Sequence, residues 1–164
     1  MKPIAERDVR MSFVNCSKGE AKRLNLPQNF AELPWEDLDF LGWRDLGAPE
    51  RAYLVAERDG GLVGVALRAA SGRARGFTAR CMCSLCLTTH TSGGVRLMAA
   101  RRTGEAGRQG NSVGEYLCAD LACSLYLRGR KQPAAGPSFD GLSREDKIAR
   151  TRANLDAFLG KITQ

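Results

Sequence analysis

Five of the six cysteines in this 164-residue chain, Cys81, Cys83, Cys86, Cys118 and Cys123, share one stretch with the only histidine, His90. Cys83-Ser84-Leu85-Cys86 is a C-x2-C pair, and Cys118-Ala119-Asp120-Leu121-Ala122-Cys123 is a C-x4-C pair further on. Together they supply four thiolates, the donor set of a closed, tetrahedral structural zinc site. A disulfide framework would need a secreted setting, and the N-terminus lacks the basic-then-apolar layout of an export signal. A redox C-x-x-C normally opens a helix after a strand, whereas Leu87-Thr88-Thr89-His90-Thr91-Ser92-Gly93-Gly94 reads as a turn. The expectation is one structural Zn2+ held by Cys83, Cys86, Cys118 and Cys123, although four thiolates also suit iron.

Two spare donors stay open at this level. C-x-C-x2-C lets Cys81 stand in for Cys83, and His90 follows Cys86 at chelating distance. The two-residue spacer is preferred because a tight knuckle turns both sulfurs inward while its N–H groups donate to them. Cys81 would then pack beside the site, and His90 would be a polar residue near it. Cys16, in a polar segment, is read as a free thiol.

The elements that must position these residues follow from pattern and turn chemistry. Runs at 51–57 and 62–68 read as strands joined by Arg58-Asp59-Gly60-Gly61, whose Asp-Gly step signals a tight hairpin turn. The chain is expected to continue as a strand from Phe77 into the first pair. Residues 95–101 and 112–117 alternate as strands, and the glycine-rich segment 102–111 between them reads as an exposed loop. A short helix over 120–127, closed by Gly129, would carry the second pair at its start. Knuckle, β-hairpin, then helix is the order of a treble-clef zinc finger.

Outside that unit, a short helix is expected from Lys18 to Leu24, and the aromatic residues Trp35, Phe40 and Trp43 are read as core. A proline- and glycine-containing linker leads to Ser143, which can cap a helix over 144–161 with Ile148, Leu155, Phe158, Leu159 and Ile162 on one face. That helix is expected to dock on the sheet of its own chain. The fold class is α+β, an antiparallel sheet with a treble clef and flanking helices. The expected division is an N-terminal extension (1–30), a β-rich domain (31–130) containing the zinc finger (81–130), a linker (131–142) and a C-terminal helix (143–162).

With 43% hydrophobic and 26% charged residues the composition is that of a globular chain. No apolar run approaches the roughly 20 residues of a spanning helix, and a cytoplasmic monomer is expected. The net charge of +7 is uneven. Residues 68–131 hold eleven basic and three acidic side chains, so the remainder is nearly neutral. Nineteen arginines against six lysines favour carboxylate or phosphate recognition. Arg101, Arg102, Arg108, Arg128, Arg130 and Lys131 are the contact residues expected from charge and exposure.

Residues 40–130 resemble the C-terminal treble-clef domain of the elongation factor G-binding proteins, the family of the FusB-type fusidic acid resistance proteins. The matching pieces are Phe40-Leu41-Gly42-Trp43, Cys83-Ser84-Leu85-Cys86, Val95-Arg96-Leu97-Met98, and the run from Gly114 through Glu115-Tyr116-Leu117 to the second cysteine pair. The resemblance implies zinc on Cys83, Cys86, Cys118 and Cys123. It also implies a binding module for elongation factor G, which such proteins help to release from the ribosome. Resistance proteins place a helical domain before the zinc domain, whereas about thirty residues precede the aromatic motif here. The resemblance therefore carries factor binding further than it carries resistance.

Direct binding of ribosomal RNA is the second reading of a basic zinc domain, although only Phe77, Tyr116 and Tyr126 are aromatic in the basic stretch. An enzyme is not expected. His90 has no nucleophile and carboxylate constellation around it, and four thiolates leave zinc no open position for water.

Overall fold

A computed structural model describes residues 1–70, 80–91, 93–136 and 140–164. Its strands are β1 (Leu41–Arg44), β2 (Arg51–Arg58), β3 (Gly61–Ala69), β4 (Cys81–Met82), β5 (Thr89–His90), β6 (Val95–Arg101) and β7 (Ser112–Cys118). The Asp-Gly signal sets the first hairpin. Asp59 and Gly60 both take positive φ, 50° and 78°, the combination that matches the twist of two antiparallel strands, and Arg58 pairs with Gly61. Five strands form one antiparallel sheet in the order β1-β2-β3-β6-β7, while β4 and β5 pair separately. The expected strand from Phe77 lies partly outside the described residues.

Both faces of the sheet are covered at β2, which is why its sequence Ala52-Tyr53-Leu54-Val55-Ala56 is apolar without interruption. Ala52, Leu54 and Ala56 enter a core with Phe40, Val65, Leu67, Met98, Leu117 and the four clustered cysteines. Tyr53 and Val55 enter the opposite core with Val9, Leu24, Trp35, Leu41 and Trp43. The helices α1 (Glu6–Met11) and α2 (Lys18–Arg23) lie on this second side. Ser17 and Glu20 close a reciprocal capping box at the start of α2. Between the two helices, residues 12–15 run beside β3 where β6 does not reach. Gly64 exchanges backbone bonds with Ser12 and Val14, and the Asn15 amide bonds both N–H and C=O of Ala66.

The sheet's other face receives the last helix. The described residues include three further α-helices, α3 (Gly104–Arg108), α4 (Cys123–Leu127) and α5 (Arg144–Thr163). Ser143 caps α5 by accepting from the Asp146 N–H at 3.1 Å, and Leu155, Phe158, Leu159 and Ile162 are buried against the sheet of the same chain. Ile148 is only half-buried, and Thr151 is fully enclosed instead.

Two local expectations need correction. Segment 102–111 is not all loop: it contains α3, in which a Cβ on Gly107 would lie 1.8 Å from the Arg102 carbonyl oxygen. Only a glycine lets that turn close onto the end of β6. The helix carrying the second cysteine pair starts at Cys123 rather than at residue 120, because Leu121 adopts φ 56°, left-handed backbone that an α-helix excludes.

Asp39 ties the layers together. Its side chain is fully buried, yet it accepts from Arg128 at 2.6 and 3.1 Å and from Arg152 of α5 at 3.0 and 2.8 Å. Burial pushes its pKa up, but the bonds from Arg128 and Arg152 outweigh that and hold the carboxyl below its ordinary range. The pair's stabilisation is thus complete above the unfolded-state value near 4 and is lost as pH falls through the lower folded-state value. Asp39→Asn is expected to cost about 3–5 kcal/mol at pH 7, since it strands two arginines around a neutral side chain. Urea denaturation of both proteins against pH checks this: the difference from the parent should close as pH drops below about 4.

Candidate metal centre

The first cysteine pair sits in a knuckle made by one left-handed residue. Leu87, at φ 57°, turns the chain so that its N–H donates to the Cys83 carbonyl at 3.0 Å, while the Cys83 N–H donates to the Thr88 carbonyl at 3.1 Å. Cys118 ends β7, and the Leu121 turn brings Cys123 back at the start of α4. Gly42 makes room for that turn: a Cβ there would lie 2.6 Å from Leu121 Cβ. The glycine of Phe40-Leu41-Gly42-Trp43 thus belongs to the metal centre's support.

The four thiols selected by spacing converge. Cys83, Cys86, Cys118 and Cys123 are all buried, with every sulfur within 4.8 Å of the others. Cys83 Sγ is 3.7 Å from Cys123 Sγ, and Cys86 Sγ is 3.5 Å from Cys118 Sγ. A tetrahedron with Zn–S bonds of about 2.3 Å has edges of about 3.8 Å, so the spacing fits one zinc ion. Without a cation the four cannot all ionise: the neighbouring sulfurs of Cys118 and Cys123 favour a thiolate at Cys83, while Cys118 and the fully enclosed Cys123 are pushed above their ordinary range. Four thiolates cannot share this apolar pocket without a cation. One structural zinc supplies that charge, and these cysteines are the residues that would hold it.

The spare donors fall outside the cluster. Cys81 is half-buried in β4, directly opposite His90 of β5, and packs against the same core. His90 is buried with Nε2 3.3 Å from Cys118 Sγ, and burial lowers its pKa, favouring the neutral ring, whose Nε2–H tautomer would donate to a metal-bound thiolate. Its ring meets Tyr126 edge to face at 4.8 Å. Tyr126 Oη donates to Asp120 at 2.8 Å, and Lys131 Nζ donates to the same carboxylate oxygen at 2.6 Å. Sequence reasoning did not find this chain of supports. The position of Asp120 between the last two cysteines was the available signal. Gly94 presses on His90, since a Cβ there would lie 2.7 Å from His90 Cβ. Cys16 lies apart, half-buried, and its thiol is pushed up by burial.

The six expected contact residues divide into two groups. Arg128, Arg130 and Lys131 follow α4 and reach Asp39, Asp37 and Asp120 respectively. Arg101 and Arg102 precede α3, Arg108 ends it, and the three line a groove on the opposite side of the sheet from α5.

Two outcomes test the centre. Cys118→Ser, or chelation of the parent protein, should lose zinc and unfold at least the second half, because such sites contribute on the order of 10–16 kcal/mol of apparent binding energy. Metal analysis and thermal melting read this directly, and a variant that kept both its zinc and its melting temperature would displace Cys118 from the set. His90→Ala should still bind zinc, but about 10- to 100-fold more weakly in competition with a chromophoric chelator.

The chain matches, over residues 8–162, the family described as the FBP C-terminal treble-clef zinc-finger. This match begins inside α1 and ends in α5, beyond the 40–130 stretch that carries the motifs. No curated protein matches the sequence. Among solved structures, the fusidic acid resistance protein FusC is similar in fold, with a TM-score of 0.54 at 16% identity. That alignment covers 87% of this chain and 53% of FusC, so the chain spans about half the length of that protein. The chain belongs to the FBP C-terminal treble-clef zinc-finger family.

Proposed function

We propose that this chain is a zinc-dependent binding module for a translation factor, elongation factor G, and promotes that factor's release from the ribosome. One observation carries the reading: in a member of this family, the buried four-cysteine cluster ties the knuckle, the β6–β7 hairpin and α4 into one unit. A surface held in that way is presented without the ordering cost that a flexible one would bear on binding. Four thiolates complete the coordination of zinc, which suits support of a binding surface rather than catalysis. Arg130 and Lys131 keep 66% and 47% of their side chains exposed beside this unit, despite their pairing with acids. They would speed encounter with an acidic factor and make it sensitive to salt. Among the described residues no helix is long and apolar enough to cross a membrane. The site of action proposed is the cytoplasm, with the chain a monomer.

A pull-down of elongation factor G by the zinc-loaded protein, at low and high salt and with and without nuclease, tests the proposal. Retention that survives nuclease and is abolished by chelation supports it. No retention at low salt, or retention lost with nuclease and restored by added RNA, overturns it.

A further inference from the structure

A groove of about 1090 Å³ lies away from the metal centre between the segment after α1 and the α3 turn. Six arginines line it: Arg23 of α2, Arg51 of β2, Arg68 of β3, Arg101 at the end of β6, Arg102 just before α3, and Arg108 at the end of α3. All but the half-buried Arg102 are exposed. The register concentrates their charge. Arg51 and Arg68 are direct cross-strand partners, and Arg68 is next to Ala99, two residues from Arg101. Like charges placed opposite each other in a sheet are destabilising, so the fold carries this juxtaposition at a cost. Among the described residues, none of the six makes an ion pair within 4.0 Å. The two carboxylates in the lining offset only part of this charge: Glu20 caps α2 through Ser17 and lies close enough to feel Arg101 and Arg23, while Asp45 accepts from Asn25 and the Gly47 N–H and feels Arg51.

Of the larger apolar side chains in the groove, Leu24, Tyr53 and Leu67 already belong to the interior and Val14 alone stands exposed, so a protein partner has little apolar surface to bury there. Beside Val14 and Glu20, its accessible wall is guanidinium with Ser17, Thr103 and Ser112, groups that contact phosphate and sugar. Ala99 and Ser112 also continue the groove along β6 and β7, where Leu97 and Tyr116 are cross-strand partners and stand exposed on the same face. An exposed tyrosine on a sheet beside a basic channel is a platform on which an unpaired base can stack.

We infer that this groove binds single-stranded RNA, with the arginines on the phosphates and Tyr116 under a base. The site takes in Arg101, Arg102 and Arg108 of the six contact residues expected from charge, lies apart from Arg130 and Lys131 beside the metal centre, and stands whether or not the factor reading holds. Fluorescence anisotropy with a labelled twelve-nucleotide oligouridylate and the zinc-loaded protein tests it. For about four phosphate contacts, affinity should fall roughly fifty-fold between 50 and 200 mM salt. Arg68→Gln with Arg101→Gln should weaken binding at least tenfold and lower the log–log salt slope by about 1.4. Tyr116→Ala should weaken it about tenfold and leave that slope unchanged. Arg7→Gln with Arg144→Gln, which removes equal charge from exposed positions off the groove, should change it less than threefold. Arg51→Gln with Arg108→Gln gives a second groove pair should the first alter zinc content or melting. The proposal is overturned if the parent protein does not bind the oligonucleotide at 50 mM salt, or if groove and control pairs weaken binding equally. It is also overturned if polyglutamate of equal charge displaces the RNA as well as unlabelled oligouridylate does, which would mark the groove as a site for an acidic protein segment.

Discussion

Four sulfurs enclosed within 4.8 Å of one another impose the governing constraint on this molecule. Thiolates in an apolar pocket repel and lack solvent, so the arrangement is stable only around a cation. Apart from β7, the elements that meet there are short. β4 and β5 are two residues each and α4 is five, lengths that have little independent stability. The metal centre adds to the few hydrophobic contacts such short pieces make, through Leu85, Tyr126 and Leu127. Its influence extends outward through Asn154 of α5, whose amide donates to the Leu85 carbonyl in the knuckle at 2.9 Å.

The second tie is electrostatic and complements the first. Asp39 lies just before β1, yet its partners Arg128 and Arg152 belong to the end of α4 and to α5. One buried carboxylate thus connects the aromatic segment, the metal-bearing helix and the C-terminal helix. Its neighbour in space, Ser124, accepts the Asp39 N–H at 3.0 Å, so backbone and side chain are fixed together. Zinc holds the finger's parts to one another, while Asp39 holds the finger to the body of the sheet.

Legibility followed the range of the interactions. The β2–β3 hairpin, β6, β7, α5 and the convergence of four cysteines could be read because each depends on local chemistry: an Asp-Gly turn, alternation, a serine cap, a two-residue spacer. α1 offered too little, since its six residues bury only Val9. The α3 helix was hidden by glycines that usually mark loops, one of which exists to approach the Arg102 carbonyl. Asp39 gave no local signal because its partners lie 89 and 113 positions away. The same limit applies to the groove: Arg101, Arg102 and Arg108 stood out as loop charges, but only strand register brings Arg51 and Arg68 beside them.

The segment between α1 and α2 has a consequence for solubility. β6 pairs with β3 only over Leu67, Arg68 and Ala69, so the earlier half of β3 would otherwise present open N–H and C=O groups in the middle of a sheet. Ser12 and Val14 satisfy Gly64 with backbone, and the Asn15 amide imitates a strand opposite Ala66. An uncovered ladder of that kind is a template for pairing with another molecule. The polar stretch around Asn15 therefore acts as a guard against self-association, closing from within the chain an edge that a second copy could otherwise extend.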